Sequence, residues 1–259
     1  MGWAWTAGLM IALGAAHQST PVENLPQTVK PHALLVELFA SEGCAACRPA
    51  DDLLRRIDGT GAEQNLLIIG MSEHVKIMDN YGWKDPYGLE SLTYRQSEYA
   101  KKFSLKETYT PQDVINGEMQ MVGFQEDAVV GAINKAGCER VLATLRVASF
   151  KVEGDKVSAT VEYAGTVPPH GAILFAAVAE DETTGHVLRG ENKGMTLAHV
   201  SVVRSMETFG KLTTAGEKTL KIRLPKAERN QTPGTKQRLI VWAQGPNLGP
   251  VIGVDTKAL

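Results

Sequence analysis

Two thiols separated by two residues, Cys44-Ala45-Ala46-Cys47, are the side chains of this sequence best suited to chemistry. A thiolate is both nucleophile and metal ligand. Cysteines at i and i+3 on a first helical turn lie on one side of it, close enough to bond without large backbone movement. In that arrangement Cys44 sits at the helix cap, exposed and partly ionised, its charge favoured by unpaired backbone N–H groups. Cys47 lies behind it, shielded, and acts as the resolving thiol. The same spacing serves half a zinc site or an inert structural disulfide. There is no second C-x-x-C and only one further cysteine, Cys138, so a four-cysteine zinc site is excluded.

Other residues could cooperate with the pair. Glu37 stands in an apolar run seven residues before Cys44; burial would raise its pKa and suit it to accept a proton from Cys47, the alternative being that it faces an edge or pairs with a nearby Arg or Lys. Thr110-Pro111 precedes a hairpin, where a fold of thioredoxin type places a cis-proline opposite the C-x-x-C. Its backbone would then pair with a substrate chain as an added strand; a plain trans proline starting an edge strand is the alternative. His74 follows the second expected strand and could tune Cys44 or join the two thiolates in a copper or zinc site; a purely structural histidine is the alternative. Trp83, Tyr87, Tyr94 and Tyr109 are candidates to wall a groove or to fill the core. Gly190-Glu191-Asn192-Lys193-Gly194, with His199 and Arg204, reads as a turn or as a ligand- or domain-binding cluster. Cys138 reads as an incidental thiol.

These residues need elements to position them. Ala33–Phe39 reads as a strand buried on both faces, and Pro49–Ile57 as the helix after the thiols, with Gly59 to end it. Leu66–Met71 is a second buried strand. Ser91–Phe103 reads as a helix capped by Ser91. Asp113–Ile115 and Glu118–Val122 flank Asn116-Gly117, a type I′ hairpin signal, and Asp127–Lys135 reads as a helix. The order is β-α-β-α-β-β-α with a mixed sheet, expected of an α/β thioredoxin-like domain over 33–144. From 145 the pattern changes. Strands are expected at 145–151, 156–163, 172–180, 200–207, 219–224, 239–244 and 251–254, an antiparallel, sandwich-like β-rich domain over 145–259.

The chain has 259 residues and a net charge of −2 with the two signs interspersed, which gives no footprint for nucleic acid or a strongly anionic membrane. Met1–Ala16 holds the apolar stretch Ala7–Leu13 followed by Gly14-Ala15-Ala16, the pattern of a signal peptide cleaved after Ala16, although no Lys or Arg precedes it. The stretch is shorter than the ~20 residues of a membrane span, and no other apolar run approaches that length. Residues 17–32, with Pro21, Pro26 and Pro31, read as an exposed leader. An exported protein meets an oxidising compartment, which suits disulfide chemistry.

Val36-Glu37-Leu38-Phe39-Ala40-Ser41-Glu42-Gly43-Cys44-Ala45-Ala46-Cys47-Arg48-Pro49-Ala50-Asp51 resembles the opening of an uncharacterised family of secreted, thioredoxin-like proteins of bacteria and plants, a domain of unknown function. Gly82-Trp83-Lys84-Asp85-Pro86, Arg95-Gln96, Tyr109-Thr110-Pro111-Gln112, Asn116-Gly117, Gly190-Glu191-Asn192 and Val241-Trp242-Ala243-Gln244 also fit. The resemblance implies a thioredoxin-like fold with an appended β-rich region and supplies no substrate. After His74 the family carries an acid and a Trp where this chain has Lys76 and Met78, and Gly43 stands where thioredoxins have Trp. The expected function is an exported thiol–disulfide oxidoreductase acting on protein thiols or disulfides through Cys44 and Cys47, with no cofactor and no resident metal. A copper module built on Cys44, Cys47 and His74, or a redox-inert adaptor, is the alternative.

Overall fold

A computed structural model describes residues 1–2, 32–62, 66–139, 143–225 and 236–259. The signal segment expected over 1–16 and the leader over 17–32 lie outside the described residues, apart from Met1, Gly2 and His32.

The apolar run after His32 forms strand β1 (His32–Ala40). Successive side chains of a strand point to opposite faces. Leu34, Val36, Leu38 and Ala40 pack with residues of helices α1 (Arg48–Ile57) and α3 (Glu126–Gly137). Leu35 and Phe39 pack on the other face, against Leu92 and Tyr99 of α2 (Glu90–Lys102). A strand covered on both faces must be apolar almost throughout. Strand β3 (Leu66–His74) runs parallel to β1, with His32 beside Leu66 and Ala40 beside His74, and the two-residue β2 (Gly61–Ala62) pairs with its start. On the other side of β1 lies the antiparallel β4 (Gln112–Ile115), which forms a hairpin with β5 (Met119–Val122). Asn116 and Gly117 take φ of 51° and 74° at that turn, the left-handed pair a type I′ hairpin requires. Helix α2 begins at Glu90 with Leu89 as its cap and no side-chain cap bond, so Ser91 lies inside the helix and does not cap it.

In the second half, β6 (Ala143–Glu153), β7 (Lys156–Gly165) and β12 (Gly216–Arg223) form a three-stranded antiparallel sheet. Strands β8 (Ala172–Glu180), β11 (Val202–Leu212), β13 (Gln237–Gln244) and β14 (Val251–Ala258) do not pair with it. They extend the sheet of the first half, giving the order β14-β13-β8-β11-β3-β1-β4-β5 with β2 beside β3, nine strands in all. The small sheet covers one face of β8 and β13 through Leu174, Ala176, Val178, Leu239 and Val241. Their other face, with Ala177, Ala179, Ile240 and Trp242, shares a core with Phe39 and Tyr99. Strands β9 (Thr183–His186) and β10 (Thr196–His199) form a separate hairpin.

This architecture corrects the expectation of an α/β thioredoxin-like domain followed by an antiparallel β-rich domain. Strand dominates, with fourteen strands and three α-helices among the described residues. The halves share one mixed sheet in place of two packed units. Their junction is a short parallel contact in which Val202 lies beside Ser72, Ser72 N donates to Ser201 O (2.9 Å), and the Ser201 hydroxyl donates to Gly70 O (2.5 Å). Small polar residues and backbone make that join, and neither leaves a period in the sequence.

Candidate functional site: a dithiol beside a buried histidine–carboxylate cluster

Beyond β1 the chain turns through Ser41-Glu42-Gly43, where Cys44 N donates to Ser41 O (3.0 Å). Ala45–Cys47 form one 3-10 turn that runs into α1, with Pro49 in the first turn, where its missing N–H costs nothing. Both cysteines are free thiols. Cys44 is only 4 % exposed and Cys47 1 %, so the expectation of an exposed outer thiol is corrected. The segment between β9 and β10 is bonded to the chain on both sides of Cys44. Ala45 N donates to Glu191 Oε2 (3.0 Å), Asn192 Nδ2 donates to Glu42 O (2.8 Å), and the Arg48 guanidinium meets the Met195 sulfur (3.3 Å). Glu191 thus occupies a helix-start N–H that the sequence reading reserved for the thiolate.

The two thiols differ strongly. A hydrogen bond from Cys47 lowers the Cys44 pKa to about 7, helped by Thr110 and opposed by burial and the Glu191 charge. Burial, then the neighbouring Cys44, pushes Cys47 well above the ordinary thiol value. The Cys44 sulfur lies 3.7 Å from Thr110 O, and the Thr110–Pro111 peptide is cis. Gln96 Nε2 donates to Tyr109 O (2.7 Å) and so anchors this segment from α2. Cys44, Cys47, Thr110 and Pro111 therefore meet in one place.

Glu37 does not join them. It shares the face of β1 that carries Leu35 and Phe39, while Cys47 packs on the face of Leu34, Val36 and Leu38. Glu37 receives hydrogen bonds from Arg95 (Nε, 2.7 Å) and from the Tyr99 hydroxyl (2.6 Å), and Arg95 also reaches Gln244 Oε1 (3.0 Å). Period-two geometry across the sheet removes it from the thiols. Two buried acids do lie on the thiol side near Cys47, Asp51 and Asp113. Asp51 lies four residues after Cys47, on the same helix face. Asp113 is in register with Leu38 on β4 and therefore faces the same way; burial, then Asp51, raises its carboxyl well above the usual range. Both could have been found by counting helix and strand periods from Cys47 and Leu38.

His74 closes β3 on the thiol side of the sheet, but its partners are not thiols. Its Nδ1 lies 2.7 Å from Asp85 Oδ2. Asp85 is fixed in turn by Glu42 N (2.7 Å) and Tyr87 N (2.8 Å). The His199 ring meets that of His74 edge to face, centroids 4.8 Å apart. Its nitrogens lie 3.5 Å from Asp51 Oδ1 and Glu42 Oε1. Burial disfavours charge on His199, yet these two carboxylates prevail and raise its pKa to about 10. Among the described residues, the three-member group of potential ligands is Asp51, His74 and His199, and it contains no cysteine. The expected aromatic wall does not form as one surface: Trp83 Nε1 donates to Glu42 Oε2 (2.9 Å), Tyr87 packs on His74, Tyr109 bonds Gln120, and Tyr94 is exposed on α2. Cys138 is exposed after α3.

A family described as "Protein of unknown function (DUF1223)" matches residues 35–244. The chain belongs to that family. The DUF1223 match takes in both thiols, Thr110-Pro111 and the histidine–carboxylate cluster. A crystal structure of protein AGR_C_4864 from Agrobacterium tumefaciens is similar at 23% identity and a TM-score of 0.62, with 87% of this chain and 94% of that one covered. HBP35 of Porphyromonas gingivalis is similar at 12% identity and a TM-score of 0.60, covering 88% and 76%. These likenesses are of fold. No curated protein matches the chain. In this DUF1223 member, chemistry converges where β1, β3 and β10 end against the start of α1: one acidified thiol, one buried thiol, and beside them two histidines among carboxylates.

Proposed function

We propose that this protein is a thiol–disulfide oxidoreductase acting on protein thiols or disulfides through Cys44 and Cys47. The observation that supports it is the asymmetry of the pair beside Thr110: a thiol lowered to about 7 next to one raised above its ordinary value. The Cys44 thiolate attacks one sulfur of a partner disulfide, a mixed disulfide forms, and the partner's other sulfur leaves as a thiolate. Cys47 then loses its proton and attacks the Cys44 sulfur. The Cys44–Cys47 disulfide forms, the partner's second thiolate departs, and two electrons have passed to the partner, whose thiolates take up from solvent the two protons that Cys44 and Cys47 released to it. The reverse sequence oxidises a partner dithiol. Asp113 offers a buried carboxyl on the face that carries Cys47. The Glu191–Asn192 segment must lift, or the partner must enter along Thr110, before the first attack.

The test is a redox titration of the full chain against dithiothreitol and oxidised glutathione, read by mass. The expected result is a reversible two-electron couple in the native protein, and in Cys47→Ser a disulfide adduct to a cystine peptide that maps to Cys44. A pair that stays dithiol across that range, with no adduct in the variant, overturns the proposal and favours a redox-inert scaffold. We further propose export, on the strength of the Met1–Ala16 pattern. A periplasmic or secreted protein whose sequence starts at His17 is the expected outcome; retention of Met1 in the cytosol refutes it. Among the described residues, no helix is long and apolar enough to cross a membrane.

A further inference from the structure

We infer that Asp51, His74 and His199 form a buried binding site for a divalent cation of the zinc class, separate from the dithiol. Asp51 comes from α1, His74 from the end of β3 and His199 from the end of β10, and their ligand atoms all lie within 4.8 Å of one another. The three residues are 7 %, 0 % and 2 % exposed. Buried polar atoms in folded proteins are hydrogen-bonded with few exceptions, and four buried atoms without a close hydrogen bond lie together here. His74 Nε2 has no hydrogen-bond partner, and the His199 nitrogens meet Glu42 Oε1 and Asp51 Oδ1 only through ion-pair contacts of 3.5 Å.

The arrangement of His74 is that of a ligand held for use. Asp85 already accepts from two backbone N–H groups, and as a carboxylate it accepts a third hydrogen bond from His74 Nδ1–H, which leaves Nε2 with a free lone pair. A carboxylate behind an imidazole fixes the tautomer and orientation of metal-binding histidines. Glu42 borders the site and adds negative charge. One of its oxygens is held by Trp83, and the other stands beside His199. Room for that carboxylate depends on Gly185 of β9, where a Cβ would fall 1.5 Å from Glu42 Oε1. Two imidazoles and a carboxylate are borderline-to-hard donors. They suit zinc, cobalt(II) or iron(II) better than copper(I), which prefers thiolates. A tetrahedral zinc ion with bonds of about 2.0–2.1 Å sets its donors roughly 3.3 Å apart, a modest contraction from the spacing seen.

The inference does not rest on the redox proposal, and its test separates the two. Full-length protein carrying Cys44→Ser and Cys47→Ser keeps the cluster and lacks both thiols of the pair. After chelator treatment it is titrated with cobalt(II), read by visible absorption and by equilibrium dialysis. One equivalent bound, with d–d bands and no thiolate-to-cobalt charge transfer, and displaced by zinc, is the expected result. Asp85→Asn should weaken cobalt binding about 10–100-fold while leaving one equivalent at saturation, and His199→Gln should abolish stoichiometric binding. Should His199→Gln fail to fold by circular dichroism, the dithiol-free protein and Asp85→Asn still decide the matter. Folded dithiol-free protein that takes up no cobalt, or native protein whose metal is held only through thiolates, overturns the inference.

Discussion

Three neighbours set the charge on Cys44: the Cys47 thiol and Thr110 favour the thiolate, and Glu191 opposes it. Alkylation of the reduced protein by iodoacetamide, followed at Cys44 by mass, should therefore rise with a midpoint near pH 7. Glu191→Gln removes a negative charge, so the midpoint should move to lower pH; a midpoint that stays put would show that Glu191 acts only as a cover. Glu37 has a different task. Burial works against charge on Arg95, but Glu37, Tyr99 and Glu73 keep it firmly protonated. Removing one member of a buried ion pair leaves the other uncompensated, at a cost of about 3–5 kcal/mol. Glu37→Gln is thus expected to destabilise the protein by that amount in urea unfolding while leaving Cys44 alkylation unchanged. Loss of thiol reactivity without loss of stability would return Glu37 to the site. The thiols and Thr110-Pro111 were legible in the sequence because their meaning lies in spacing and punctuation. The partner of Glu37 was open in the sequence because its face depends on the strand's phase relative to α1, and a carboxylate among apolar residues signals burial without saying on which side.

The hairpin of β9 and β10 is the element that the sequence concealed. Thr183–His186 and Thr196–His199 are four residues each, alternately buried and exposed, with too little apolar character to stand out. Yet this hairpin brings His199 to the cluster and Glu191 and Asn192 over Cys44. Of the polar bonds that help dock it, the one from Asn192 to Glu42 O is fully buried. Such a bond contributes about 0.5–1.5 kcal/mol net, up to roughly tenfold in population. Asn192→Ala should raise the population with the segment lifted, and Cys44 alkylation at fixed pH should accelerate by up to about tenfold. An unchanged rate would mean that reagents reach the sulfur by another route. Strand β1 shows the opposite case. Its unbroken apolar run demanded cover on both faces, and the helices after it carry the apolar spacing that supplies it, so this layer could be read before any coordinates.

At the scale of the whole molecule, one sheet passes from β5 to β14 through the join of β3 and β11. The core on its α2 side combines Phe39 and Tyr99 with Trp242, Ile240 and Ala177. Neither half completes that core alone. Heat or urea should accordingly unfold the chain in a single transition with coincident near- and far-ultraviolet signals, and a fragment ending at Glu139 should lack cooperative unfolding. Two separated transitions would speak for independent halves. The strands of the second half were largely legible from alternation and turn residues. Their membership of the first half's sheet was not, because strand pairing at distance is decided by backbone geometry and by residues as plain as Ser72 and Ser201. Gly185 and Glu42 are a comparable pair, 143 positions apart in the chain and in contact in space. Any homologue bearing a side chain at the first position must lose or redirect the acid at the second, so the two sites should drift through evolution together, and an acid at 42 should be inherited only alongside glycine at 185.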